Sequence, residues 1–110
     1  MTSRSYSVGN ILTTDTKTTA YTVPTGYTAR WNLSYVVNHS GNNKSVSIFW
    51  YDSSQDMEIH VVANYVLSPT QFLMFDSGAY VMLEEGDEIR IQIEAAAEMH
   101  TINTFELIRN

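Results

Sequence analysis

The sequence predicts an all-β protein, an antiparallel β-sandwich of jelly-roll or Ig-like type with about eight or nine short strands. Three observations carry this reading. Ile89, Ile91 and Ile93 alternate strictly with Glu88, Arg90, Gln92 and Glu94, and a side-chain period of two means a strand with one buried and one wet face. Turn clusters recur along the chain at intervals near the roughly 8–12 residues expected of a sandwich or barrel. No segment carries a helical apolar stripe over three turns.

The elements follow in order. Residues 1–8 are polar and patternless and read as a flexible N-terminal arm, either frayed or ordered on a neighbouring subunit. Residues 9–110 form a single sandwich domain. Gly9 to Leu12 is a short edge strand, and the hydroxyl-rich Thr13 to Thr19 a connection. Ala20 to Val23 is a strand stopped by Pro24, which cannot donate to a central ladder. Val23-Pro24-Thr25-Gly26 reads as a β-turn, with Gly26 free to take positive φ.

From Arg30 to Asn38 the pattern places Trp31, Leu33, Tyr35 and Val37 on one face and Arg30, Asn32, Ser34 and Asn38 on the other. Residues 39–44 are a turn. Val46, Ile48 and Trp50 form the next apolar face, with Phe49 and Tyr51 opposite and therefore less buried. After a loop at 52–56, Met57, Ile59, Val61, Ala63 and Tyr65 alternate, and His60 shares the other face with Glu58, Val62 and Asn64. Residues 71–75 are short and almost wholly apolar, and Asp76-Ser77-Gly78 turns the chain into a hairpin centred on Glu84-Glu85-Gly86-Asp87. Glu94-Ala-Ala-Ala-Glu98 is too short to hold a helix alone and reads as a loop or a single turn. Thr101 to Ile108 closes the fold with Phe105 and Leu107 inward.

Composition excludes several classes of function. Charged residues make up 16% of the 110-residue chain, below the roughly 25% of ordinary soluble domains. Thr, Ser and Asn take their place, which suits pleated outer surfaces and also protein contacts, whose centres are depleted in charge. Net charge is −6 and the six basic residues are scattered, so nucleic acid is not an expected partner. There is no cysteine, hence neither a disulfide framework nor a thiolate metal site. The first residues lack an apolar signal core, and no apolar run approaches the roughly 20 residues of a membrane-spanning helix. A soluble protein made in the cytosol, without a membrane partner, is expected.

No catalytic constellation stands out. Asp76, Glu84, Glu85, Asp87 and Glu88 offer oxygens to a Ca²⁺ ion, but their spacing is not that of an EF-hand, and turn chemistry accounts for every one of them. His39, His60 and His100 are not paired at a zinc spacing, so no metal and no cofactor are expected. Glu58, Glu94 and Glu106 are the carboxylates available for acid–base hydrolysis, and nothing in the sequence brings two of them together. Nucleophile elbows and phosphate-binding glycine loops are absent. The chain does not read as an enzyme. Tyr27, Phe49, Tyr51, Tyr65, Phe72 and Met74 are the side chains whose positions lead out of the core, marking either protein contacts or the sandwich rim.

Ile11-Leu-Thr-Thr-Asp15, Tyr21-Thr-Val-Pro-Thr-Gly-Tyr27, Asn38-His-Ser-Gly41, Asp52-Ser-Ser54 and Leu83-Glu-Glu-Gly-Asp-Glu-Ile89 occur in this order. Over roughly Ile11 to Ile108 the chain resembles the small β-sandwich virion proteins of tailed bacteriophages, above all head decoration, or cement, proteins. The resemblance implies a non-enzymatic subunit on the outside of the capsid. It would bind the major capsid protein lattice, as a homo-dimer or homo-trimer, after synthesis in the host cytoplasm. Arg4, Tyr6, Pro24, Tyr27, Phe49 and Tyr51 are the expected contact residues. The alternative is a neck, tail or fibre accessory domain that contacts other virion proteins or host surface glycan.

Overall fold

A computed structural model describes residues 3–76 and 81–110 and, of Ser3 and Tyr6, the backbone alone. Among them are nine strands: β1 (Ser3–Leu12), β2 (Thr18–Thr22), β3 (Tyr27–Asn38), β4 (Lys44–Asp52), β5 (Met57–Leu67), β6 (Phe72–Phe75), β7 (Val81–Leu83), β8 (Glu88–Ile93) and β9 (Met99–Arg109). They form two antiparallel sheets. The first has the order β1-β9-β3-β6, with β7 pairing β3 further along the same edge; the second has the order β2-β8-β4-β5. Every connection except β4–β5 and β6–β7 crosses from one sheet to the other, which is jelly-roll winding. The expected all-β sandwich is therefore what the chain forms. The turn expected at Asp76–Gly78 lies partly outside the described residues.

The core comes from both sheets. Val46, Ile48, Ile89, Ile91 and Ile93 of the second meet Ala29, Trp31, Val36, Met99, Phe105 and Leu107 of the first. Burying each large side chain contributes roughly 1.5–3 kcal/mol. The alternating β8 behaves as its pattern demands, with its three isoleucines buried.

Three departures from the sequence pattern shape the surface. The first is in β1. Ser3–Val8, the main part of the expected arm, is strand: β1 pairs continuously with β9 from Ser3 opposite Ile108 to Leu12 opposite Met99. The polar alternation there hid a strand because one side of an edge strand needs no apolar residue.

The second is in β3. Trp31 lies opposite Phe105 while Leu33 lies opposite Thr104, so Asn32 is an extra, bulged residue. One inserted residue exchanges the two faces of everything beyond it. Trp31 still points inward, but Ser34, Val36 and Asn38 follow it, and Leu33, Tyr35 and Val37 turn outward. The buried Asn103 side-chain oxygen accepts from Trp31 Nε1 at 3.2 Å and from Ser34 Oγ at 2.8 Å. That network fixes the shifted register, because a buried polar group without a partner is costly.

The third is β5. Met57, Ile59, Val61, Tyr65 and Val66 all remain exposed. β5 is the edge of its sheet, and the facing edge of the other sheet consists of two short pieces, β6 and β7. They are too short to cover its eleven residues.

A candidate protein-docking surface

The bulge in β3 gives the first sheet an apolar outer face. Register places Phe72, Val37, His100 and Ile11 in one row across β6, β3, β9 and β1, and Met74, Tyr35, Ile102 and Gly9 in the next. Tyr35 and Phe72 pack together with ring centroids 5.6 Å apart. Ile11, Phe72, Met74 and Ile102 are 67%, 55%, 48% and 42% exposed. An antiparallel sheet that turns one face to water normally carries polar residues there. Single exposed apolar residues are ordinary, but a contiguous apolar patch marks a contact. Between β5 and the β6–β7 edge lies a cleft of about 320 Å³ lined by Trp31, Asn32, Leu33, Val61, Val62, Phe75 and Val81. None of these lining side chains titrates or is a nucleophile.

The outer face of the second sheet has the opposite character. Lys17 Nζ reaches Glu58 at 2.6 Å, Arg90 reaches Glu58 at 3.0 Å and Glu88 at 2.8 Å. The hydrogen bond from Lys17 is the main cause that holds the Glu58 carboxyl below its ordinary range, with Arg90 adding to it. Beneath these charges lie the aromatics. Lys17 Nζ sits 4.2 Å from the Phe49 ring centre, and Arg90 sits 4.0 Å from that of Tyr51. His60 packs on Phe49 from the side, centroids 4.6 Å apart.

The expected contact residues are therefore scattered. Phe49 does point out of its sheet, but Lys17 and His60 roof it over and it is only 3% exposed, so it is corrected from contact to covered residue. Tyr51 is half-buried under Arg90, and its hydroxyl donates to Asp56 at 2.6 Å. That bond to a carboxylate raises the phenol above its ordinary range. Tyr27 is half-buried against the core. Pro24 is exposed, in a turn running one residue later than expected: Tyr27 N donates to Pro24 O, and Gly26 takes φ 87°. Arg4 is exposed on β1; Tyr6 takes the register position opposite Phe105, and its side chain lies outside the described residues. Tyr65, Phe72 and Met74 leave the core as expected. Leu33, Tyr35 and Val37 were missed because the β3 bulge puts them outside; Ile102 was missed although the alternation of β9, with Phe105 and Leu107 inward, already turns it outward. Asn103 on the partner strand, the one acceptor for two inward donors, is the signal that the register shifts.

The expected acidic hairpin is corrected to a turn between sheets: β7 pairs with β3 while β8 pairs with β2 and β4, so residues 84–87 carry the chain from one sheet to the other. Gly86 takes φ 87°. Asp87 is 1% exposed. Its two oxygens accept from Glu84 N and Trp50 Nε1, and from Ser53 N and Ser53 Oγ. Glu85 accepts from Gly26 N, and Glu88 from Arg90 and Thr19. These carboxylates serve protein donors instead of converging on a cation. Trp50 is committed to Asp87 and Trp31 to the core, so neither offers a platform for a sugar. Glu58 and Glu106 lie on opposite outer faces, paired with Lys17 and Arg30 respectively, and Glu94 pairs with Lys44. No two of these three face each other.

His39, Glu98 and His100 do come together. His100 Nε2 is 2.7 Å and His39 Nε2 4.0 Å from Glu98 Oε2, and the two imidazole centroids are 4.8 Å apart. The residues meet because β3 and β9 end side by side, Val37 opposite His100 and Asn38 opposite Met99.

No family model and no curated protein matches the chain. Among solved structures it is similar to one described by the finding that Bacillus endospore appendages form a novel family of disulfide-linked pili. Identity there is 18%, over 98% of this chain and 88% of that one, with TM-score 0.52. It is also similar to the globular domain of zebrafish complement 1qA protein, at 15% identity over 96% and 98% of the two chains and TM-score 0.47. A third match is infectious bursal disease virus, Gt strain, at 11% identity over 98% and 42%, with TM-score 0.30. The first match shows a shared all-β fold. These 110 residues contain no cysteine with which to form a disulfide link.

Proposed function

We propose that the chain is a non-enzymatic structural subunit that docks on other protein through the apolar outer face of the β1-β9-β3-β6 sheet. One observation carries this: Tyr35, Val37, Phe72, Met74 and Ile102 adjoin in an apolar surface, with Ile11 beyond His100 in the same row, where a free sandwich would carry polar residues. The sequence resemblance supplies the finer reading, a decoration protein on the outside of a bacteriophage head with the major capsid protein as partner. The jelly-roll fold shared with a spore-appendage protein is compatible with a role in assembly. Binding only the assembled lattice would stabilise it by mass action.

The experiment is co-sedimentation with expanded capsids. The protein is expected to pellet with them, Ile102→Lys to remain in the supernatant, and serum albumin to set the background. Wild-type recovery no higher than albumin defeats the capsid reading. Equal recovery of the wild type and the Lys variant defeats the assigned face.

A further inference from the structure

We propose that His39, Glu98 and His100 form a binding site for a borderline divalent cation of the Zn²⁺ class. Each residue offers one ligand atom, and all three atoms lie within 4.8 Å of one another. Around a tetrahedral zinc with bonds near 2.0–2.1 Å, neighbouring ligand atoms are about 3.3 Å apart. The 2.7 Å and 4.0 Å gaps to Glu98 Oε2 bracket that spacing. Small side-chain rotations bring all three into range.

The backbone beneath the ligands is already fixed. His39 N donates to Glu98 O at 2.9 Å. Ser40 Oγ accepts from Glu98 N at 2.7 Å and donates back to Glu98 O at 3.2 Å. Ser40 N donates to the side-chain oxygen of Asn38. Asn38 is itself fully buried and ties the loop to Asn42 O and Leu67 O. The three ligand-bearing residues therefore stand on a hydrogen-bonded frame anchored in the core, and metal binding need not order a flexible loop.

The donor set selects the ion. Two imidazoles and one carboxylate suit zinc, cobalt or nickel; calcium and magnesium take oxygen ligands and gain little from imidazole. Three protein ligands leave a position open. The ligand side chains are 64%, 42% and 38% exposed, so that position faces solvent. His100 stands in the same cross-strand row as Ile11, Val37 and Phe72, which puts the ion at the rim of the apolar face.

Titration calorimetry of the metal-free protein with ZnCl₂ tests this. One ion per chain is expected to bind with micromolar affinity, undisturbed by millimolar Mg²⁺, and to raise the unfolding midpoint. His100→Ala and His39→Ala are each expected to weaken binding at least about tenfold, the scale on which zinc sites lose affinity when an orienting group is removed. His60→Ala is expected to leave it unchanged. In imidazole ¹H–¹⁵N spectra, His39 and His100 shift on zinc addition and His60 does not. Glu98→Gln, an exposed near-isosteric change, repeats the test if a His variant unfolds. Absence of saturable zinc binding overturns the proposal. So does an affinity that survives both His100→Ala and Glu98→Gln, or a response centred on His60.

Discussion

At the scale of single residues, Asp87 ties more of the chain together than any other described polar side chain. Its carboxylate, at 1% exposure, accepts from β4 through Trp50 Nε1, from the β4–β5 loop through Ser53 and from its own turn through Glu84 N. Hydrogen bonds to a charged group contribute about 1.5–3 kcal/mol each, and such losses are not additive. Asp87→Ala is expected to cost about 3 kcal/mol in urea denaturation, with the m-value unchanged. Gly86 beside it has φ 87°, and a Cβ there would meet Ser53 Oγ at 3.0 Å. Gly86→Ala should cost about 1 kcal/mol or more, whereas Gly41→Ala, with nothing within 4 Å of an added Cβ, should be nearly neutral. This turn was legible in the sequence because glycine and aspartate act on their own backbone neighbours. The His39–Glu98–His100 cluster was not, because strand register alone brings such distant positions together. Glu58 makes a pH prediction. Its carboxyl is held below the ordinary value of 4.5, chiefly by Lys17. A lowered folded value contributes stability above the unfolded one and loses it as pH falls through the folded one. Glu58→Gln should cost about 0.5 kcal/mol at neutral pH, as expected of a solvent-screened pair. The difference from wild type should vanish below the carboxylate range and in high salt.

At the scale of elements, strands with a clean period and no bulge were legible. β8 and β9 place Ile89, Ile91, Ile93, Phe105 and Leu107 inward as their spacing demands. β3 was half legible: its end at Asn38 and inward Trp31 are as expected, while it starts at Tyr27 instead of Arg30 and the faces beyond Asn32 are exchanged. Alternation is blind to an inserted residue, since Leu33, Tyr35 and Val37 look like a core face in either register. Deletion of Asn32 tests the point. Leu33 then follows inward Trp31 directly, so simple alternation keeps Leu33, Tyr35 and Val37 outward and Ser34, Val36 and Asn38 inward, opposite the same β9 partners. Trp31 and Ser34 also keep their acceptor on Asn103. A dispersed, native-like amide NMR spectrum is the expected result for the deletion variant. Loss of dispersion would show that Asn32 is more than an inserted residue. β1 was missed for the converse reason: Ser3–Val8 pairs through its backbone, which leaves no apolar signature.

At the scale of the whole molecule, the two sheets present unlike faces, and that difference sets how copies or partners can approach. The second sheet's outer face holds Lys17, Glu58, Glu88 and Arg90 in one charged network. The first sheet's face holds Tyr35, Val37, Phe72, Met74 and Ile102, with Arg30 and Glu106 paired at its end. A net charge of −6 opposes association of like chains, so contact through the first face has to overcome that repulsion by burying apolar surface. A homo-oligomer formed there would be held by apolar burial. Its association should strengthen in sulfate and respond little to NaCl, because kosmotropic salts favour burial while simple screening acts on exposed charge. Tyr35 and Ile102 are cross-strand partners on that face. The double variant Tyr35→Lys, Ile102→Lys puts two positive charges where a second apolar surface would have to seat. Its circular dichroism should stay close to wild type: exposed Ile102 tolerates substitution to within about 0.5 kcal/mol, and losing the packing of half-buried Tyr35 on Phe72 should cost up to about 1 kcal/mol. Its sedimentation coefficient should fall to that of a single chain. Lys17→Glu, on the charged face, should break the pair with Glu58 and leave the sedimentation coefficient where it was. If wild type, the double variant and Lys17→Glu all sediment as one chain, no copy of the molecule covers the apolar face. The partner is then a different protein, and capsid co-sedimentation with the same double variant decides whether a phage shell supplies it.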